Sequence, residues 1–294
     1  MIPLALNAGA PGPETARAME AAGEQAWLIG VFFLLIVGLG LAAVAVLAVS
    51  LRRQSTRWPA RERILLRRPW FLREAAGVVI WMSLWYAALF FLAPLWKAAD
   101  GLETLWVVVQ SGLFNLGGLW LVSRSLARRG LTWRQAFGGL RGTWTSRVGA
   151  GALYYLAAMP FIWFYSILYQ IGLRASGYTP DWQDVAVAFA TESSGWVRLL
   201  LFLLAVGLAP IFEEIFFRGI LLTLVARRWG TAVAVVAVSA LFAAVHGHLP
   251  SLLPLFLIAV AFSLGYIFSG SLLVPVTMHA LFNGINLVML GWWR

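Results

Sequence analysis

Six side chains in the last third of the chain have the types and spacings that acid–base chemistry needs. Glu213, Glu214 and Arg218 lie in APIFEEIFFRG, His246 ends LFAAVH, and His279 and Asn283 lie in MHALFNGIN. On a helix, residues four apart share a face and residues five apart do not. Glu214 therefore reaches Arg218, whereas Glu213 points roughly 140° away from that arginine. A carboxylate neutralised by a guanidinium is an orienting group; one without such a partner is free to take and return a proton. His246 follows Phe242 by one turn, while His248, two residues on and beside Leu249-Pro250, reads as a solvated boundary residue. His279 and Asn283 are again one turn apart, and Asn286 extends their stripe. A glutamate with a histidine can hold and deprotonate a water, and a second histidine with an amide nitrogen can donate to the oxyanion of a tetrahedral intermediate. Ser239, Ser263 and Ser271 stand nearby, yet none has a base at an evident spacing. A lone histidine would read as a satisfied core residue, and a lone Glu-Arg pair as structural. Their convergence in one apolar third of the chain points instead to hydrolysis of an amide by an activated water.

The elements that must position these groups are membrane helices. The 294 residues are 61% hydrophobic and 12% charged, which lies outside the range of soluble domains. The fold expected is all-α, a polytopic transmembrane bundle of about eight spans around a polar cavity. The spans read as 27–49, 75–96, 102–122, 148–171, 197–225, 231–246, 252–268 and 272–292, with a tight Ser269-Gly270 turn before the last. Pro160 is expected to kink the fourth span, and Pro210 to loosen the helix ladder beside the two glutamates. The many glycines, as in Gly38, Gly40, Gly117 and Gly118, predict close helix packing. Within 123–147, Leu131, Trp133, Ala136 and Phe137 suit a short helix on the membrane surface. Residues 1–26 are a polar segment without the basic start of a signal peptide, so the first span is expected to be retained.

The net charge of +10 comes mainly from arginines between the spans. Sixteen of them follow the first, third and fifth spans, at 52–74, 123–147 and Arg227-Arg228. The positive-inside rule then places those links in the cytosol and both termini outside, in an integral, multi-pass cell (inner) membrane protein. This pattern orients a protein in lipid and calls for no nucleic-acid partner. The absence of cysteine excludes disulfides, thiolate catalysis and Cys-ligated metal.

EEIFFR (Glu213 to Arg218), FAAVH (Phe242 to His246) and HALFN (His279 to Asn283) resemble the EExxxR, FxxxH and HxxxN motifs of the CAAX prenyl protease and bacteriocin-processing family, the Rce1-like intramembrane endopeptidases. The resemblance covers about 197–288. It divides the chain into 1–26, a variable four-helix region at 27–171, and a catalytic region at 197–294, all in one integrated membrane domain. It implies that Glu213 activates water with His246 as partner, that Glu214 and Arg218 support it, and that His279 and Asn283 form the oxyanion site. The family is often called a metalloprotease although it lacks HExxH. Glu213, His246 and His279 are of types that ligate Zn²⁺, so a metal stays open alongside a metal-free site. The substrate implied is a membrane-associated protein or peptide, in peptide maturation, bacteriocin immunity or regulator proteolysis. Two other functions remain: a proton- or cation-coupled transporter using the same residues, and a non-catalytic scaffold or immunity protein.

Overall fold

The computed structural model describes residues 13–52, 58–96, 103–138 and 143–292. The chain ends Met1 and Arg294, the link residues Lys97 and Asp100, and Arg141 lie outside the described residues. Described residues form helices α1 (Pro13–Arg52), α2 (Trp58–Leu66), α3 (Leu72–Trp96), α4 (Glu103–Arg128), α5 (Trp133–Phe137), α6 (Trp144–Ala175) and α7 (Asp184–Thr191). A continuous helical stretch follows, made of α8 (Gly195–Leu203), α9 (Ala209–Glu214) and α10 (Leu222–Trp229), joined by π-helical turns at Leu204–Leu208 and Ile215–Leu221. The chain ends in α11 (Thr231–Val245), α12 (Leu252–Ser269) and α13 (Leu273–Trp292). Among the described residues there is no strand.

Helices occupy all eight positions expected from the hydropathy pattern. Six are long and apolar enough to cross a membrane: Leu72–Phe91, Thr104–Arg128, Trp144–Ala175, Gly195–Trp229, Leu249–Ser269 and Leu273–Leu290. Phe33–Val49 and Thr231–Val245 are shorter apolar helices. With 15 residues, α11 spans roughly 22 Å, less than the ~30 Å of a hydrocarbon core. The protein is thus an integral-membrane helical bundle in which one helix beside the candidate site stops short.

Close packing follows the small residues only where a helix meets a neighbour. A Cβ on Gly118 would lie 2.2 Å from the Phe212 ring, and one on Gly40 would lie 2.5 Å from the Leu156 carbonyl and the Pro160 ring. Gly38 and Gly112 face open space. Pro160 sits inside an unbroken α6, which packs against α1, α12 and α13. The buried core runs through Phe212, Phe216, Phe217, Phe242, Phe262 and Tyr266.

The arginine-rich links are built into the bundle rather than simply solvated. α4 continues to Arg128, and the short α5 that follows is closed by a capping box between Thr132 and Gln135. Trp133 remains exposed, but Ala136 and Phe137 are buried. The Phe137 ring fills the space over Gly219, where a Cβ would meet it at 2.4 Å. Instead of lying flat, this turn plugs the second π-helical segment. Arg227 donates to the carbonyls of Leu66 at 2.9 Å, Trp70 at 2.6 Å and Arg68, and Arg68 donates to the Gly270 carbonyl at 3.1 Å. Guanidinium groups thus satisfy the backbone of the 66–70 link and tie it to α10 and to the α12–α13 turn. At the opposite end, Glu192 accepts the Ser194 backbone N–H at 2.7 Å. That bond, with a further one from Thr104, holds its carboxyl below the usual range.

Candidate active site

The two glutamates lie on the six-residue α9, between the two π-helical turns. A π turn replaces the i+4 backbone bond with an i+5 bond, which widens the helix and is frequent at functional sites. Here the Ala209 N–H bonds to the Leu204 carbonyl and the Leu222 N–H to the Phe217 carbonyl. Pro210, without an N–H, cannot restore the α-helical pattern, so the expected loosening takes this form.

Glu214 and Arg218 are fully buried and paired as the four-residue spacing requires, with Arg218 Nη1 2.8 Å from Glu214 Oε1. The same Oε1 lies 2.9 Å from Nδ1 of His279, reaching across from α13. Arg218 Nη2 donates to the Ala259 carbonyl of α12 at 3.0 Å. Its guanidinium lies over the Phe242 ring at 4.6 Å and the Phe262 ring at 5.1 Å. These faces hold a cation that water cannot reach. Phe262 also stacks on His279 at 5.0 Å. The arginine is therefore held by one carboxylate, one carbonyl and three aromatic rings, Phe217 at 6.0 Å being the third, and the carboxylate it neutralises orients a histidine.

Glu213 is different. Its side chain is 26% exposed, and its Oε2 is an inward-facing atom without a hydrogen-bond partner. His279 approaches it from α13, with Nε2 3.8 Å from Oε2. That is too long for a direct hydrogen bond. Nδ1 of His279 faces the Glu214 carboxylate and donates to it, and Nε2 is the nitrogen turned toward Glu213.

His246 caps α11 and is exposed. Its Nδ1 donates to the Phe242 carbonyl at 2.7 Å, which leaves Nε2 as the outward nitrogen. Among the described residues no hydrogen bond or ion pair joins His246 to Glu213. The Phe242 ring lies 4.8 Å from the His246 ring and 5.7 Å from that of His279. Asn283 lies on the His279 face of α13, and its Nδ2 donates to the Ala205 carbonyl at 2.7 Å. The structure thus gathers Glu213, Glu214, Arg218 and His279 into one cluster, with Asn283 one turn away and His246 at the rim. Glu213, His246 and His279 do not converge on a Zn²⁺ position. Among the described residues no three His, Asp or Glu side chains come close enough to hold a metal ion.

Sequence reasoning missed the rings of Phe242 and Phe262 as a cation seat, and the Ala259 and Ala205 carbonyls as acceptors. It also missed a small polar set on the loops. His248 Nδ1 lies 2.8 Å from Ser251 Oγ, and its Nε2 lies 3.3 Å from Asp181 Oδ1. The Asp181 side chain is 68% exposed, so it lacks the burial that lets an aspartate fix a catalytic histidine. This set joins the 176–183 loop to the start of α12. Of the serines, Ser263 donates to its own helix at Ala259, while Ser239 Oγ is buried without a partner.

Compared with known proteins, residues 195–285 match the family model described as "Type II CAAX prenyl endopeptidase Rce1-like". The matched region begins at α8 and reaches past Asn283 on α13. No curated protein and no solved structure matched the chain.

Proposed function

We propose that this chain, whose residues 195–285 match the Rce1-like type II CAAX prenyl endopeptidase family model, is an intramembrane endopeptidase using a glutamate-activated water. The observation that carries this reading is the inequality of two adjacent carboxylates. Glu214 is fully buried with its Oε1 shared by Arg218 and His279, although its Oε2, like that of Glu213, has no hydrogen-bond partner; Glu213 is 26% exposed, has no such cation, and faces His279 Nε2 across 3.8 Å.

A water held by Glu213 and His279 would lose its proton to Glu213 as its oxygen adds to the scissile carbonyl. Collapse of the tetrahedral intermediate breaks the C–N bond, and Glu213 returns the proton to the departing amine. The products are one carboxylate and one amine. The second Nδ2 hydrogen of Asn283 supports an oxyanion contact. The resemblance gives the water-holding part to His246, but the approach of His279 to Glu213 supports giving that part to His279. His246 then serves as the rim group that meets the bound peptide. That α11 is shorter than a full span supports a site reached by a membrane-associated protein or peptide. We place the protein in the cell membrane with its termini outside, on the strength of the arginine distribution.

The test is reconstitution in proteoliposomes made in H₂¹⁸O, with membrane-anchored peptides that include a farnesylated peptide ending in a CaaX sequence. Mass spectrometry should find fragments whose new carboxylate carries one ¹⁸O. If no peptide is cleaved while proton or cation flux is present and disappears in Glu213→Gln, the protein is a transporter and the proposal is wrong. If no peptide is cleaved and Glu213→Ala and His246→Ala both keep full cellular function, it is a scaffold.

A further inference from the structure

The opened turn ahead of the glutamates contains a carbonyl that its own helix cannot satisfy. In an α-helix the Ala205 carbonyl would accept from the N–H of residue 209, but the Ala209 N–H is taken by Leu204. In a continued π pattern it would accept from residue 210, which is Pro210 and has no N–H. An unpaired carbonyl at membrane depth is strongly disfavoured. Asn283 Nδ2, on another helix, reaches it at 2.7 Å.

One turn away on the same face of α13, His279 holds Glu214 at 2.9 Å. The two contacts grip Ala205 and Glu214, nine positions apart, at either end of the stretch that carries Pro210 and Glu213. We propose that Asn283 is a positioning residue. It replaces the backbone donor that Pro210 removes, clamps α9 to α13 at a second point, and so fixes Glu213 against His279. Only its effect on turnover rests on the reading of Glu213 as the base; the clamp itself is independent of any reaction.

Deleting the amide should then be reparable by restoring the backbone donor. Asn283→Leu removes the donor and keeps a side chain branched at Cγ. Pro210→Ala adds an N–H that can bond to Ala205 in the π pattern. In Asn283→Leu, hydrogen–deuterium exchange measured in detergent should rise in 205–214, and kcat should fall roughly 100-fold for a displacement of about 1 Å. Pro210→Ala/Asn283→Leu should regain exchange protection and recover about tenfold in kcat. If Asn283→Leu is too unstable to purify, the double variant should restore its yield, and failure to do so overturns the proposal. Unchanged exchange in Asn283→Leu, or a double variant no better than the single one, would show that Asn283 acts on the substrate alone. Protein that cleaves no peptide yet shows the exchange pattern would retain the clamp and remove the enzymatic reading. Active protein without the pattern would do the reverse.

Discussion

Replacing Glu214 with Gln keeps an amide oxygen for Nδ1 of His279 but removes the carboxylate that pairs with Arg218 at 2.8 Å. The arginine is 0% exposed, so no water can take over. The Ala259 carbonyl and the Phe242 and Phe262 rings are present before and after the change, and they do not compensate for it. Removing one partner of a buried pair costs about 3–5 kcal/mol. At about 2–4 °C per kcal/mol for a large domain, the melting temperature should fall by roughly 6–20 °C. Glu214→Gln combined with Arg218→Met leaves no uncompensated charge and should recover most of that loss. The assay is thermal unfolding in one detergent, followed by intrinsic fluorescence at equal protein concentration. A Glu214→Gln protein that melts with the wild type, beside an unstable Glu213→Gln, would show that the two carboxylates have the opposite roles.

Gly118→Ala forces a Cβ against the buried Phe212 ring and should destabilise by about 1–3 kcal/mol. Gly112→Ala, which faces open space, should not, and equal melting curves for the two would refute the packing argument. Chelator treatment followed by desalting should leave peptide hydrolysis within about twofold, since the site brings no three metal-ligating side chains together; activity lost and then restored by Zn²⁺ would contradict that. In this cysteine-free chain, an impermeant thiol reagent should label Thr179→Cys from outside and not Ser55→Cys. The reverse pattern inverts the orientation read from the arginines.

What the sequence revealed was mostly what repeats within one helix. Spacing alone announced the Glu214–Arg218 pair and the shared face of His279 and Asn283; it also put His248 at a loop, but that side chain is 15% exposed and tied to Ser251 and Asp181, not solvated as expected. The positions of the eight apolar helices were likewise plain, because lipid demands long uncharged runs. Contacts between helices were hidden, since no intrahelical spacing says which histidine crosses to which glutamate. The resemblance pairs Glu213 with His246, whereas the structure sets His279 beside Glu213 and leaves His246 at the end of a short helix. The π turns were hidden too. A shift from i+4 to i+5 bonding leaves the hydrophobic pattern almost unchanged, and Pro210 was its only trace. Phe137 read as a surface anchor because its destination, the space over Gly219, belongs to a segment eighty residues away.

The most direct measurement compares cleavage of one quenched fluorogenic peptide by the wild type and by Glu213→Gln, at equal concentrations of protein with matched melting curves. Removing a positioned acid–base group typically costs about 10²- to 10⁴-fold in rate. The account predicts a Glu213→Gln protein that folds like the wild type and loses turnover on that scale. A folded Glu213→Gln protein that cleaves within a few-fold of the wild type would contradict it.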